Sequence, residues 1–349
     1  MVVLAFGVFL IAPAAPTAVS TSPVAVPLAW RQPDAEVRIE YLGSIARDED
    51  VSVRRGFWSR LGDVIVGGPD RRVTALARPF SPAADGAGRL LVADPGTPGV
   101  HLFDLAKRSH KVLRGPSRLP MRSPIGVDAD AAGTIYAADS ATGRIYVFDR
   151  EGRFTRFIGE RKDEGYFKRP TGLAIDRPAR RIYVTDTLEH CVYVVSTSGT
   201  IERSWGRRGS EPGDFNFPTA VALADDRVFV LDSMNFRVQV FTREGEYLNS
   251  FGRPANEPGG FYRPKGLAID PVNRLVLVVD AMFEAVQAFT YNGTLVWAFG
   301  QAGTAPGQFT LPAGVTVHPD GRILVADSFN GRIQMFRTFV RVARAGVRP

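Results

Sequence analysis

The groups in this chain that could do chemistry are few, and most are carboxylates. Six aspartates, Asp94, Asp139, Asp186, Asp232, Asp280 and Asp327, are separated by 45, 47, 46, 48 and 47 residues. A carboxylate can serve as general acid or base, or join others in holding a divalent cation. Repetition argues against both roles, because a reaction needs one asymmetric site and a residue recurring in every unit belongs to the unit's architecture. An aspartate at a strand end also accepts hydrogen bonds from the backbone of its own turn. All six are therefore expected to be structural, with Arg144, Arg237 and Arg332 following five residues after three of them. The four histidines, His101, His110, His190 and His318, are scattered, and three imidazoles converging on one zinc cannot be assembled from them. The single cysteine, Cys191, forms no intramolecular disulfide and suits packing better than chemistry. Neither a Gly-x-Ser-x-Gly elbow nor a glycine-rich phosphate loop is present. No catalytic residue, metal ligand or cofactor is expected.

The elements that carry the aspartates repeat with them. Each aspartate ends a short apolar run, such as Ile135 to Ala138 or Leu275 to Val279, and a second run follows after about four to five residues. So short a connection pairs the two antiparallel. Upstream lies an element that opens with proline and usually glycine, as in Pro124 to Gly126, Pro170 to Gly172, Pro264 to Gly266 and Pro312 to Gly314; proline suits the start of a strand but not its middle. A fourth element follows a turn such as Arg150 to Gly152 or Tyr291 to Gly293. Four antiparallel strands in each repeat, arranged around an axis, make a β-propeller blade. The joints between blades share the form Phe-x-x-Pro at Phe167, Phe215, Phe261 and Phe309, where a phenylalanine can plug the gap between neighbours.

Segments such as Pro218 to Leu223, Val228 to Asp232 and Asn235 to Phe241 resemble NHL repeats. The resemblance runs from Val37 to the C-terminal region and implies an all-β, six-bladed propeller of four-stranded antiparallel blades. Activity does not follow from it, since propellers of this kind serve unrelated roles. Enzymes resembling this propeller include amidating lyases with a three-histidine zinc site and lactonases with a carboxylate-held divalent metal. After Arg332 to Phe336 the sixth blade lacks an outer strand. Val37 to Gly43 matches the outer strands Tyr247 to Gly252 and Leu295 to Gly300 and is expected to close the ring; Phe339 to Ala343 is the alternative donor.

Function is sought where the repeat is broken. Two residues beyond each aspartate stand Gly96, Ala141, Leu188, Met234, Met282 and Phe329, on the face that also carries the blade-to-blade joints. The last four are large and apolar, with Phe236 and Phe283 close by, and such an arc could bind a protein or apolar ligand. The alternative is that each folds back onto its joint. In the innermost strands the middle position is Ala83, Asp128, Ala174, Ala222, Ala268 and Thr316, so Asp128 alone places a charge there. It must face the solvated channel, meet a cation or titrate near neutrality.

The remaining features concern location and partners. Val2 to Ala12 is an apolar run of eleven, too short to span a bilayer and suited to a signal peptide. The expected organisation is an apolar segment over 1–20, a Pro-, Ser- and Val-rich linker over 21–36, and one propeller over 37–349. That propeller comprises a closing strand at 37–45, a helical insertion at 46–77 and blades over 78–338. In the insertion Phe57, Trp58, Leu61, Val64 and Ile65 fall at helical spacing, which suits a short amphipathic helix that packs on the domain or touches a membrane surface. The net charge of +7 comes mostly from dispersed arginine, which disfavours a nucleic-acid groove. The sequence thus supports an exported binding or scaffolding propeller with a protein partner at the cell envelope. The alternative is a metal-dependent lyase or hydrolase using the channel, and a third reading is nucleic-acid or acidic-polymer binding through the basic surface.

Overall fold

The computed structural model describes residues 24–31, 33, 35–50, 75–161 and 164–342. They form six blade sheets, all antiparallel, and a two-stranded antiparallel ribbon of Glu160–Arg161 with Glu164–Gly165. From the axis outward, blade one is Ser81–Ala84, Leu90–Asp94, Gly99–Asp104 and Ser109–Leu113, and blade two is Pro124–Ala129, Ile135–Asp139, Arg144–Phe148 and Phe154–Ile158. Blade three is Pro170–Asp176, Arg181–Asp186, Cys191–Ser196 and Ile201–Trp205, and blade four is Pro218–Ala224, Arg227–Asp232, Arg237–Thr242 and Tyr247–Phe251. Blade five is Pro264–Asp270, Leu275–Asp280, Ala285–Thr290 and Leu295–Phe299, and blade six begins with Val315–Val317, Arg322–Asp327 and Arg332–Val342. Each innermost strand packs against the next, and Val315–Val317 returns to Ser81–Ala84, so the ring is closed.

Ring closure uses the N-terminal side of the chain. Ala35–Ile45 pairs antiparallel with Arg332–Val342 as the outer strand of blade six, from Ile45 opposite Ile333 to Ala35 opposite Val342. Phe339 to Val342 is therefore a continuation of the third strand and not a separate closing element. Two further strands occupy the stretch expected as linker. Val24–Val26 pairs with Ala35–Ile45, and Leu28–Arg31 pairs with Leu295–Phe299 at the edge of blade five. Blades five and six thus have five strands each. Of the expected insertion, the described residues show one 3-10 turn, Asp48–Asp50, and a bridge from Arg47 to Ala75. The amphipathic helix with Phe57, Trp58 and Leu61 lies outside the described residues, as does the apolar run Val2 to Ala12. No helix among the described residues is long and apolar enough to cross a membrane.

The core lies between blades. Because both faces of a blade pack on neighbours, its second and third strands are mostly buried and do not alternate, with a few polar side chains such as Gln239 and Gln287 among the apolar ones; Leu275–Asp280 is buried at every position. Phe229, Phe261 and Phe289 belong to one cluster between blades four and five. The joint phenylalanines Phe167, Phe215, Phe261 and Phe309 are all buried, which fits the plugging role. The glycine of Pro-x-Gly has a steric cause. Innermost strands converge so closely that a Cβ at Gly126 would collide with the Thr171 carbonyl oxygen, one at Gly266 with that of Ala313, and one at Gly314 with that of Phe80.

Candidate functional site

The six repeated aspartates are fully buried, and their oxygens are taken up in two ways. In blades one, two, three and five each carboxylate accepts backbone N–H groups from the joint before the blade and from its own turn. Asp280 takes Tyr262 at 2.7 Å, Arg263 at 3.0 Å, Met282 at 3.1 Å and Phe283 at 3.2 Å. Asp94, Asp139 and Asp186 do the same. In blades four and six side chains replace most of these donors. Asp232 receives Asn235, Arg237 and Gln239, and Asp327 receives Asn330, Arg332 and Gln334. Arg144, which follows Asp139 as Arg237 follows Asp232, turns instead to the Thr142 carbonyl and Glu160. Every aspartate therefore ties the start of its blade to the turn between its second and third strands.

The axis encloses a channel of about 240 Å3. An innermost strand has a ladder partner on one side only, so part of its backbone polarity faces this space. At the far end from the joints, Asp128 reaches across to blade three. Its carboxylate accepts the Ile175 N–H at 2.9 Å and its own neighbour's Ala129 N–H at 2.8 Å, and meets the Arg177 guanidinium at 3.2 Å. Burial raises its pKa above the ordinary carboxylate value, against the opposing pull of Arg177 and the two N–H groups. Of the possibilities that the sequence left open, the geometry meets two: the carboxylate lines the channel, and it meets a cation from the protein itself.

At the joint end the channel is lined by the residue that follows the opening proline in five blades: Phe80, Ile125, Thr171, Thr219 and Lys265. Lys265 is the single ionisable member of this ring. No hydrogen bond or ion pair engages its ammonium among the described residues, and burial, with Arg263 beside it, pushes its pKa down. Thr171 is not a free donor. Its hydroxyl stands 2.7 Å from that of Thr187, which donates to the Pro218 carbonyl. Thr219 shares a hydrogen bond with Ser233 at 2.5 Å.

The apolar arc lies on the same face, in the turns between the second and third strands of blades three to six, outside the residues that line the channel. Leu188, Met234, Met282 and Phe329 are 45%, 54%, 46% and 55% exposed, so they do not fold back onto the joints. Phe236 and Phe283 are half-buried, and exposed Tyr262 lies 6.3 Å from Phe283, centroid to centroid. Arg78, Arg122, Arg169 and Arg263, exposed residues of the joints, add positive charge to the same face, and the Arg78 guanidinium lies 5.4 Å from the Phe329 ring centroid.

The histidines do not converge. His101 and His110 share a hydrogen bond of 3.1 Å in blade one, His190 accepts the Phe217 N–H, and His318 contacts Gly88 and Asp320. His101 sits on the third strand of its blade. Among the described residues no group of three or more His, Cys, Asp or Glu side chains is placed to hold a metal. Cys191 is buried, and burial pushes its thiol up to about 12.

Two family models match the sequence, one described as a 6-bladed beta-propeller over residues 214–297 and the NHL repeat over 309–336. The chain is a six-bladed β-propeller whose C-terminal part is NHL-repeat-like. No curated protein matches it. Its fold is similar to that of a gluconolactonase from Xanthomonas campestris, with a TM-score of 0.60, 15% identity, and 94% of this chain and 99% of that chain covered. A virginiamycin B lyase from Staphylococcus aureus matches with a TM-score of 0.54, 13% identity, and coverage of 75% and 95%. An auxiliary nutrient binding protein from Bacteroides thetaiotaomicron matches with a TM-score of 0.58, 11% identity, and coverage of 75% and 69%. At these identities the likeness shows the fold, which enzymes and binding proteins share.

Proposed function

We propose that the chain is a ligand-binding propeller whose site is the joint-face mouth of the central channel. The observation that carries this reading is the exposed arc of Leu188, Met234, Met282 and Phe329. Large apolar side chains are kept in water at one position of successive blades, in a molecule that buries its four joint phenylalanines. The ligand suited to it has an apolar body that covers part of the arc. Export to the cell envelope, which rests on the apolar run Val2 to Ala12, belongs to the same proposal. The test is a thermal-shift screen of amphipathic small molecules against the native chain and a Met234→Gln, Met282→Gln, Phe329→Ser variant. The reading expects a shift in the native chain that the variant loses while keeping its own melting temperature. Equal shifts in both would overturn it.

A second reading, catalysis by a lyase or hydrolase in the channel, is supported by the fold likeness to a lyase and a gluconolactonase. Asp128, the carboxylate in that space, is engaged by Arg177 and two N–H groups. Lys265, with its lowered pKa and unengaged ammonium, is then the group suited to move a proton. Stoichiometric zinc, manganese or calcium on the purified protein would favour the metal-dependent form of this reading; metal-free protein whose turnover depends on Lys265 would favour the other.

A further inference from the structure

Three ionisable side chains line the channel among the described residues: Asp128, Arg177 and Lys265. The first two neutralise each other at the far end, 3.2 Å apart. Lys265 is left at the joint end with no acidic partner among the described residues, and the charge that acts on it is another cation, Arg263. A partly buried ammonium without a counter-charge costs free energy that any anion entering the mouth recovers. The repeat imposes no lysine here, because the equivalent residues are Phe80, Ile125, Thr171 and Thr219. Packing does not require it either, since the ring tolerates side chains from threonine to phenylalanine.

We propose that the joint-face mouth of the channel binds the oxyanion of a small ligand, a carboxylate or a phosphate, with Lys265 Nζ as its main donor. Arg263 adds attraction from the exposed side. The two threonine hydroxyls of the ring are engaged within the protein, Thr219 with Ser233 and the Lys265 carbonyl and Thr171 with Thr185 and Thr187, which leaves the ammonium as the free donor. The volume limits what enters: about 240 Å3 suits an anionic head and not a folded segment. Lys265 stands near the start of the innermost strand of blade five and Met282 in the turn after that blade's second strand, at the same end of the blade. This inference rests on the binding reading above for the position of the ligand's body, but the anion site stands on Lys265 alone.

The test uses the full chain labelled with carbon-13 at lysine Cε, in which Lys265→Gln identifies one signal among the five lysines. Inorganic phosphate and succinate are titrated separately. The proposal expects at least one of them to move the Lys265 signal saturably and to raise its pKa toward the ordinary lysine range, with the other four signals unaffected. Phosphate alone would mark a phosphoryl ligand, and succinate alone a carboxylate. Lys265→Gln should weaken the effective anion's binding at least about tenfold, and Lys265→Arg should retain most of it. No response from Lys265, or an equal response from all five lysines, overturns the proposal. The Met234, Met282 and Phe329 variant separates the two ideas. An unchanged Lys265 response there upholds the anion site even if the apolar arc proves idle.

Discussion

A carboxylate withdrawn from water is stable only if donors replace the water, and the two classes of buried aspartate in this molecule differ in what they do with that cost. Asp280 accepts four backbone N–H groups from two loops. Asp280→Ala leaves those donors without their acceptor and is expected to cost about 2–4 kcal/mol, measured by denaturant unfolding. Asp128 is held above its ordinary pKa by burial. Its ionised form therefore costs stability once the pH exceeds that raised value, and the cost disappears as the pH falls toward the ordinary value of 3.8. Asp128→Asn is accordingly expected to be neutral or mildly stabilising near pH 7, and a large loss would contradict the assignment. His101 shows the opposite linkage. Burial lowers its pKa from 6.5 to about 4, with His110 and Arg114 adding to the effect and Asp94 opposing it. Its contribution is full above pH 6.5 and is lost as the pH falls from there toward 4. The melting temperature of His101→Gln should depend on pH less steeply than that of the native chain across this window; parallel curves would refute it.

The blades were legible in the sequence because the apolar runs, the aspartates and the Phe-x-x-Pro joints repeat in step, and each has a local physical cause. The closing strand was legible for the same reason, since Val37 to Gly43 carries the pattern of an outer strand. Val24–Val26 and Leu28–Arg31 were not legible. They are three and four residues long, lie in a stretch whose proline and serine content suits a linker, and owe their pairing to distant blade edges. Their contribution is separable. Among the described residues, removing residues 1–31 takes away these two edge strands, and it should lower the melting temperature while leaving one cooperative transition. Removing residues 1–45 takes away the partner of Arg332–Val342 and should abolish that transition. If both truncations melted alike, closure by Ala35–Ile45 would not be what holds the ring. Within the blades, Gly266→Ala forces a methyl against the Ala313 carbonyl and is expected to cost about 1–3 kcal/mol.

At the scale of the whole molecule, six nearly equivalent blades enclose one axis, and function has to come from what distinguishes them. The arc on blades three to six could be read from the sequence, because its residues depart from a small or polar position. Lys265 could not be singled out in the same way. In the sequence it is one of 43 basic residues, and its isolation appears only when the ring of Phe80, Ile125, Thr171 and Thr219 is assembled around it. The Asn, Arg and Gln donors of Asp232 and Asp327 were partly hidden for a similar reason, since only the arginines stood out by spacing. Together the arc and Lys265 give the mouth an apolar margin and a cationic throat, which suits a ligand with an apolar tail and an anionic head. The most direct measurement is calorimetric titration of dodecanoate, below its micelle concentration, into the native chain, Lys265→Gln and the Met234, Met282 and Phe329 variant. Saturable one-to-one binding to the native chain, weakened at least about tenfold in each variant with their melting temperatures preserved, is the predicted result. Equal affinity in all three chains, or no saturable binding to the native one, would contradict the joint-face mouth as the ligand site.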